Sequence, residues 1–313
     1  MQVSIIIVSY NCRNELAACL ESIESHAAEV EHEVVVVDNA SKDGSAELAQ
    51  RAPRVRVIRN PENRGFAAAV NQGIAIARGE VFLLLNPDCL VLPGAVDSIY
   101  RFLHARPWVG ACAPRILDEQ GAPVRSCRRF PSLWTVFCEA FGLSRLLPTS
   151  SIFNAYEPGG FTYDQPRRVD WASGAALAIR RSAWQLVGPF DESFFIYAEE
   201  LDWLKRMALR HLECWFVPDA EIVHGNGVTW GKHTVLRALW AHWSMWRYFR
   251  KHHGPVTAWT VRALTALGSL GRLALWTCMA ASPKLRSRAK QALRLHCAVL
   301  AQCFTGRQPP KPS

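Results

Sequence analysis

Hydrophobic and polar positions alternate in short blocks through the first 115 residues. Mostly apolar runs at 3–8, 33–37, 55–58, 81–85 and 109–113 have strand length, the first four rich in Val, Ile or Leu. Such short apolar runs are expected of strands buried within a covered sheet. Segments of helical character lie between them at 14–26, 43–51 and 66–78, and Pro93 opens a further helix at a favoured early position. Apolar strands alternating with helices predict βαβ units, hence an α/β fold with a mostly parallel sheet covered on both faces. From 115 to 168 the pattern weakens into a loop-rich insertion, with a helix over 133–147. Regularity returns at 169–179 and 182–186, then as a helix over 199–210 and strands over 213–216 and 221–224. Beyond His233 the chain reads as mostly helical.

Charge divides the chain at about residue 230. Up to Trp230 there are 22 Lys+Arg against 27 Asp+Glu, giving −5; from Gly231 there are 14 Lys+Arg and no acid, giving +14. A mildly acidic body with a strongly basic tail predicts an anionic partner for the tail. The tail also carries Trp240, Trp243, Trp246, Trp259 and Trp276. Trp mixed with Arg and long apolar stretches favours a membrane surface over nucleic acid. The stretch 255–283 is nearly long enough to span a bilayer, but Arg262 and Arg272 interrupt it. On a helix Arg262, Thr265, Ser269 and Arg272 share one side and Leu, Ala, Val and Trp the other, which predicts a helix lying in the membrane interface. The alternative is an ordinary amphipathic helix packed on the domain or on a partner.

The 313 residues, half of them hydrophobic, suffice for a large buried core. Ten cysteines show no C-x-x-C pair, which argues against a zinc knuckle or a thioredoxin-like site. The first residues lack a basic n-region and a long apolar run, so they read as a strand rather than a signal peptide. These features predict a reducing, cytoplasmic setting, with the tail placing the protein peripherally on the inner face of the membrane.

Ligands of open parallel sheets bind outside the carboxyl ends of the strands. Ser9-Tyr10-Asn11, Asp38-Asn39-Ala40-Ser41 and Asn86-Pro87-Asp88 occupy such ends, and 60–65 adds Asn-Pro-Glu-Asn-Arg-Gly. Neither G-x-G-x-x-G nor G-x-x-x-x-G-K-[ST] occurs, so dinucleotide and P-loop chemistry lack their usual support. Acids facing an anionic ligand need a divalent cation between them, and oxygen ligands suit Mg²⁺ or Mn²⁺. Asp88 is the natural ligand. A second cluster, 190–202, ends in Glu199, Glu200 and Asp202 after an aromatic run. Glu199 suits a first helical turn. Glu200, with like charges beside it and partial burial, suits a raised pKa and general-base work. His224 reads either as a ligand to metal or phosphate, or as a hydrogen-bonded strand-end histidine.

Taken together, the motifs resemble family 2 glycosyltransferases. The strings at 3–11, 37–45, 63–73 and 85–88 follow the order of that family's donor half, and 171–175 and 190–202 resemble its acceptor half. Bacterial rhamnosyltransferase-like members are the most similar, and the likeness spans roughly 3–230. The resemblance implies a GT-A fold over 1–230, with a nucleotide-binding half (1–115), an acceptor half (116–230) and a basic helical tail (231–313). It implies an inverting, metal-dependent hexosyltransferase acting between a nucleotide-diphosphate sugar of dTDP or UDP type and a glycan or glycolipid acceptor of the cell envelope, with rhamnose as the sugar.

By the same resemblance Tyr10, Asp38 and Arg64 line the nucleotide pocket, with Asp38 facing the base. Asn86-Pro87-Asp88 stands for the D-x-D metal motif with its first acid replaced. His224 helps hold the metal or diphosphate. Glu200 takes the place of the family's catalytic Asp, a longer acid whose carboxylate must be repositioned. Trp171, Ser173, Gly174, Glu199 and Asp202 fall around the sugar and acceptor pocket. Two other readings stand beside this one. A non-catalytic nucleotide-sugar-binding protein draws on the exchange at Glu200, and a nucleotidyltransferase would need a basic Gly-rich loop where 9–12 stands.

Overall fold

A computed structural model describes residues 1–26, 29–156, 161–225 and 234–311. The chain forms two compact units, one of residues 1–130, 161–195 and 199–231, the other of 131–160, 196–198 and 232–313. The boundary at 230 expected from charge lies outside the described residues, as do Asn226 and Gly227 after His224.

The first unit is built on one nine-stranded sheet and carries a separate two-stranded one. Its amino-terminal part runs β1 (Val3–Ser9), α1 (Arg13–His26), β2 (His32–Asp38), α2 (Ser45–Arg51), β3 (Val55–Arg59), α3 (Phe66–Ile76) and β4 (Val81–Leu85). Parallel pairing orders these strands β3-β2-β1-β4, with Ser9 opposite Asp38 and Ile7 opposite Leu85. The Val, Ile and Leu side chains of β1, β2 and β4 are almost all buried, as expected of strands covered on both faces. Strands β5 (Cys89–Val91) and β6 (Val109–Leu117) flank α4 (Ala95–His104). This helix starts two residues later than Pro93 suggests, because Gly94 first turns the chain through φ 74°.

The insertion expected from 115 is divided. β6 runs to Leu117, and β7 (Cys127–Arg128) follows in the first unit, while α5 (Leu133–Ala140) and α6 (Leu143–Leu146) belong to the second. The stretch 169–179 is three strands: β8 (Arg167–Val169), β9 (Trp171–Ala172) and β10 (Ala176–Arg180). Breaks at Asp170 and at Ser173-Gly174 let β9 pair with β7 while β10 lies antiparallel between β4 and β6. Helices α7 (Arg181–Val187) and α8 (Glu199–Ala208) follow, then β11 (Glu213–His224). β11 is a single strand rather than two; Pro218 falls in its irregularity between Val217 and Glu221.

The second unit contains α9 (Thr234–Met279) and α10 (Arg286–Thr305) besides α5 and α6. α9 breaks at Gly254 (φ 85°), directly before Pro255. Its second half has an unexpected orientation. The arginine stripe faces the protein: Arg262 donates to the Cys303 carbonyl and stacks on Trp246 and Trp259, Ser269 is 2% exposed, and Arg272 donates to the Glu139 carbonyl. The apolar stripe is the exposed one, with Val256, Trp259, Leu267, Leu270 and Leu275 open to solvent. Among the described residues no helix is long and apolar enough to cross a membrane.

Candidate functional site

Three of the strand-end clusters meet along the carboxyl edge of β2, β1 and β4. Asp38 is 2% exposed; its Oδ2 accepts from the Ser41 amide at 3.0 Å, and its buried Oδ1 has no partner among the described residues. A buried carboxylate oxygen left over in this way suits an N–H donor from a ligand. Asn11 steers the chain past this point in a left-handed conformation (φ 49°), its Oδ1 taking the Lys42 amide at 2.8 Å. Tyr10 beside it is half-buried.

Next to Asp38, Asn39 ties down the following loop. Its Oδ1 accepts from Asn60 Nδ2 (2.9 Å) and its Nδ2 donates to the Gly65 carbonyl (3.1 Å). Arg64 projects from this loop, 43% exposed, with Glu192 Oε2 at 3.9 Å. Gly65 is required where it stands: φ is 88°, and an added Cβ would lie 2.5 Å from the Phe195 carbonyl oxygen. That carbonyl accepts the Phe66 amide at 2.7 Å, tying the loop to the segment that leads towards α8.

The Asn86-Pro87-Asp88 turn is fastened on both sides. The Asn86 amide donates to the Ala175 carbonyl (2.8 Å), and the Gly225 amide to the Asp88 carbonyl (2.9 Å). Antiparallel pairing of β5 with β11 sets His224 opposite Cys89, and His224 Nε2 comes to 3.2 Å from Asp88 Oδ1. Two cis ligands of an octahedral ion at about 2.1 Å stand about 3.0 Å apart, so this pair fits a single Mg²⁺ or Mn²⁺. Cys89 Sγ also lies within 4.8 Å of both. Burial pushes its thiol well above the usual range and it donates to the Ala175 carbonyl, so Cys89 is a poor ligand for a hard cation. Among the described residues this pair offers two ligand groups, and the remaining coordination is left for ligand oxygens or water.

The 173–176 segment links this turn to the carboxylates. Ala176 pairs with Leu85, and two residues earlier the Gly174 amide donates to Glu200 Oε1 at 3.2 Å. A Cβ at Gly174 would stand 3.4 Å from Glu200 Cδ, so the small residue permits the approach. Burial raises the pKa of Glu200, opposed by backbone amides and by the charge of Arg128. Burial also raises Glu199 well above the ordinary range, with the charge of Glu200 adding to it. Amide dipoles and a guanidinium favour the anion at Glu200, so Glu200 is the stronger acid of the pair. Each keeps one buried oxygen, Oε2, without a partner among the described residues.

Some predicted positions occupy other places. Asp202 is fully buried, and its carboxylate takes Arg206 Nε at 2.9 Å while Arg206 also donates to the Val187 and Pro189 carbonyls. That is a structural ion pair holding α8 against the preceding loop. Trp171 is 8% exposed; it donates to the Arg129 carbonyl and supports the Arg128 guanidinium on its ring face at 5.6 Å. Ser173 Oγ accepts the Ala175 amide, shaping the turn at Gly174. Sequence reasoning missed Arg128. Its signal, the run Arg125-Ser126-Cys127-Arg128-Arg129, lay in a stretch without periodicity and became interpretable only through the β7–β9 pairing.

With this geometry in hand, comparisons with known proteins are specific. Residues 4–153 match the profile of "Glycosyl transferase family 2". The chain is 31% identical over 282 residues to the N-acetylglucosaminyl-diphospho-decaprenol L-rhamnosyltransferase of Mycobacterium tuberculosis, covering 85% of this chain and 91% of that one. It is 24% identical to the rhamnosyltransferase WbbL of Escherichia coli, over 71% of this chain and 83% of that one. Among solved structures, a mannosyltransferase from Pyrobaculum calidifontis in complex with GDP-Man and Mn²⁺ aligns with a TM-score of 0.61 at 16% identity, over 98% of this chain and 88% of that one.

Proposed function

This chain belongs to glycosyl transferase family 2, and from that premise we propose that it moves rhamnose, with inversion, from a dTDP- or UDP-type nucleotide-diphosphate sugar to a hydroxyl of a lipid-linked cell-envelope glycan. The rhamnosyltransferase relatives support the sugar, and the diphospho-decaprenol relative supports the acceptor class. The observation that carries the reading is the Asp88–His224 pair at 3.2 Å, joined through 173–176 to Glu200.

In this reading Asp38 receives an N–H of the nucleotide base on its unpartnered Oδ1, beside Tyr10, and Arg64 faces the phosphates. Asp88 and His224 hold Mg²⁺ or Mn²⁺, with Asn86 shaping the turn beneath. When bound, the metal neutralises the diphosphate as it leaves. Glu200 accepts the proton of the attacking hydroxyl, and the Gly174 amide fixes its Oε1 so that Oε2 is the basic atom. Glu199, the weaker acid, contributes to the sugar or acceptor pocket together with Ser173 and Gly174. Attack from the face opposite the nucleotide inverts the anomeric centre without a covalent enzyme intermediate.

The tail completes the proposal. The open stripe of α9 from Val256 to Leu275 carries no charged side chain, while Arg250, Lys251, Lys284, Arg286, Arg288 and Lys290 flank it in exposed positions. An apolar stripe between cationic ends suits an anionic bilayer surface, and hence peripheral attachment at the cytoplasmic face. The deciding experiment measures nucleotide-diphosphate release from dTDP-rhamnose and UDP-sugars. It uses a polyprenyl-diphosphate N-acetylglucosamine acceptor, with and without Mn²⁺ or Mg²⁺. Release that requires donor, acceptor and metal together supports the reading. Donor binding without turnover under every condition refutes it in favour of a non-catalytic binder.

A further inference from the structure

The second unit holds a cavity of ≈ 310 Å³ bounded by α5, α6 and both halves of α9. It takes no part in the chemistry above. Two guanidiniums meet in it. Arg272 is fixed by a hydrogen bond from Nη2 to the Glu139 carbonyl, and its Nε and Nη1 have no partner among the described residues. The Arg145 side chain, from α6, makes no hydrogen bond or ion pair among the described residues. The two lie close enough that Arg145 depresses the pKa of Arg272, an effect second to that of burial. Among the described residues Glu139 is the only carboxylate on the wall, and it pulls in the opposite direction. His242 also lines the cavity, and His296 on α10 lies near enough to feel both arginines.

The same wall carries hydroxyls with nothing to bond. Thr265 and Ser269 stand on successive turns of α9, Ser269 only 2% exposed, and neither hydroxyl has a partner among the described residues. Two adjacent cations opposed by one carboxylate repel one another, and hydroxyls that line a cavity are open to a ligand. One group would engage both: an anion with several acceptor oxygens. Guanidinium forks match phosphate oxygens in pairs, and hydroxyls donate to the oxygens left over.

We propose that this cavity binds a phosphate group, borne by a soluble phosphate or diphosphate or by a lipid headgroup. The site stands independently of the glycosyl-transfer reading, because none of its residues belongs to the Asp88, His224 and Glu200 cluster. The test uses the full chain in EDTA, which suppresses metal-assisted binding at Asp88. One arm titrates inorganic pyrophosphate by calorimetry, and the other measures co-sedimentation with phosphatidylcholine vesicles with and without phosphatidic acid. The variant is Arg145→Gln, whose side chain supports no other contact, and thermal unfolding checks that it folds. Binding in either arm that weakens about tenfold in the variant, as loss of a charge-assisted hydrogen bond entails, supports the site and identifies the source. Absence of binding in both arms, or binding that Arg145→Gln and Ser269→Ala leave unchanged, overturns it.

Discussion

Replacing Glu200 by Gln separates base chemistry from every other role of that side chain. The amide is isosteric, and its oxygen still accepts the Gly174 amide hydrogen bond now made at 3.2 Å, so the loop and helix ends stay where they are. What disappears is the basic Oε2, which has no partner among the described residues. A positioned general base contributes about 10²–10⁴ in rate, or roughly 3–5 kcal/mol of barrier. The expected result is a kcat lowered by about that factor, with donor affinity by calorimetry unchanged. Glu200→Asp probes geometry instead, since it withdraws the carboxylate by about one bond length, and an error of about 1 Å costs about 10²-fold. Wild type should lose kcat on its acid limb at a pH above the ordinary carboxylate range, because burial raises Glu200 and the base form exists only above its pKa. A Glu200→Gln enzyme turning over within threefold of wild type under saturating donor and acceptor would refute the assignment.

The other predictions address single contacts. Asp88→Asn or His224→Ala should lower kcat/KM by about 10²-fold and raise the Mn²⁺ concentration needed for half-maximal rate, whereas an unchanged metal dependence would remove that pair from the site. Asp38→Ala should weaken nucleotide binding about 10–100-fold, read by calorimetry with the free nucleotide diphosphate. Glu199→Gln removes a carboxyl whose pKa is raised on folding. Such a group binds more protons folded than unfolded, so its contribution to stability falls as pH rises above the unfolded value, and the variant should gain in Tm over wild type from pH 5 towards pH 8. Gly65→Ala forces a side chain into φ 88° and against the Phe195 carbonyl, and should cost about 1–3 kcal/mol in denaturant unfolding. Leu267→Glu with Leu270→Glu should abolish sedimentation with anionic vesicles; a dimer that dissociates in the double variant while vesicle binding persists would assign the stripe to a second copy instead.

The α/β alternation was legible because strands β1, β2 and β4 are covered on both faces, so burial alone dictates their composition. β5 and β7 were not legible. They are three and two residues long, and exist because β11 and β9 lie beside them. Asp38, Asp88 and Glu200 stood out as polar groups at the ends of apolar or aromatic runs. Asp202 stood out for the same reason, yet it serves Arg206 inside the fold. Position along the chain does not distinguish a carboxylate that waits for a ligand from one already paired.

Local pattern determined which segments are strands and helices, where strand ends carry acids, and that the chain beyond Glu221 carries basic residues and no acid. Each of these depends on neighbouring residues or on composition, which the sequence states directly. Only the tertiary structure decided that His224, 136 positions after Asp88, stands 3.2 Å from it. Tertiary contacts also turn the arginine stripe of α9 inward and its apolar stripe outward. Helical periodicity separates two faces but cannot say which of them the rest of the chain will cover. Here backbone carbonyls at Cys303 and Glu139 accept from the inward-facing arginines, while the Leu and Trp stripe stays open.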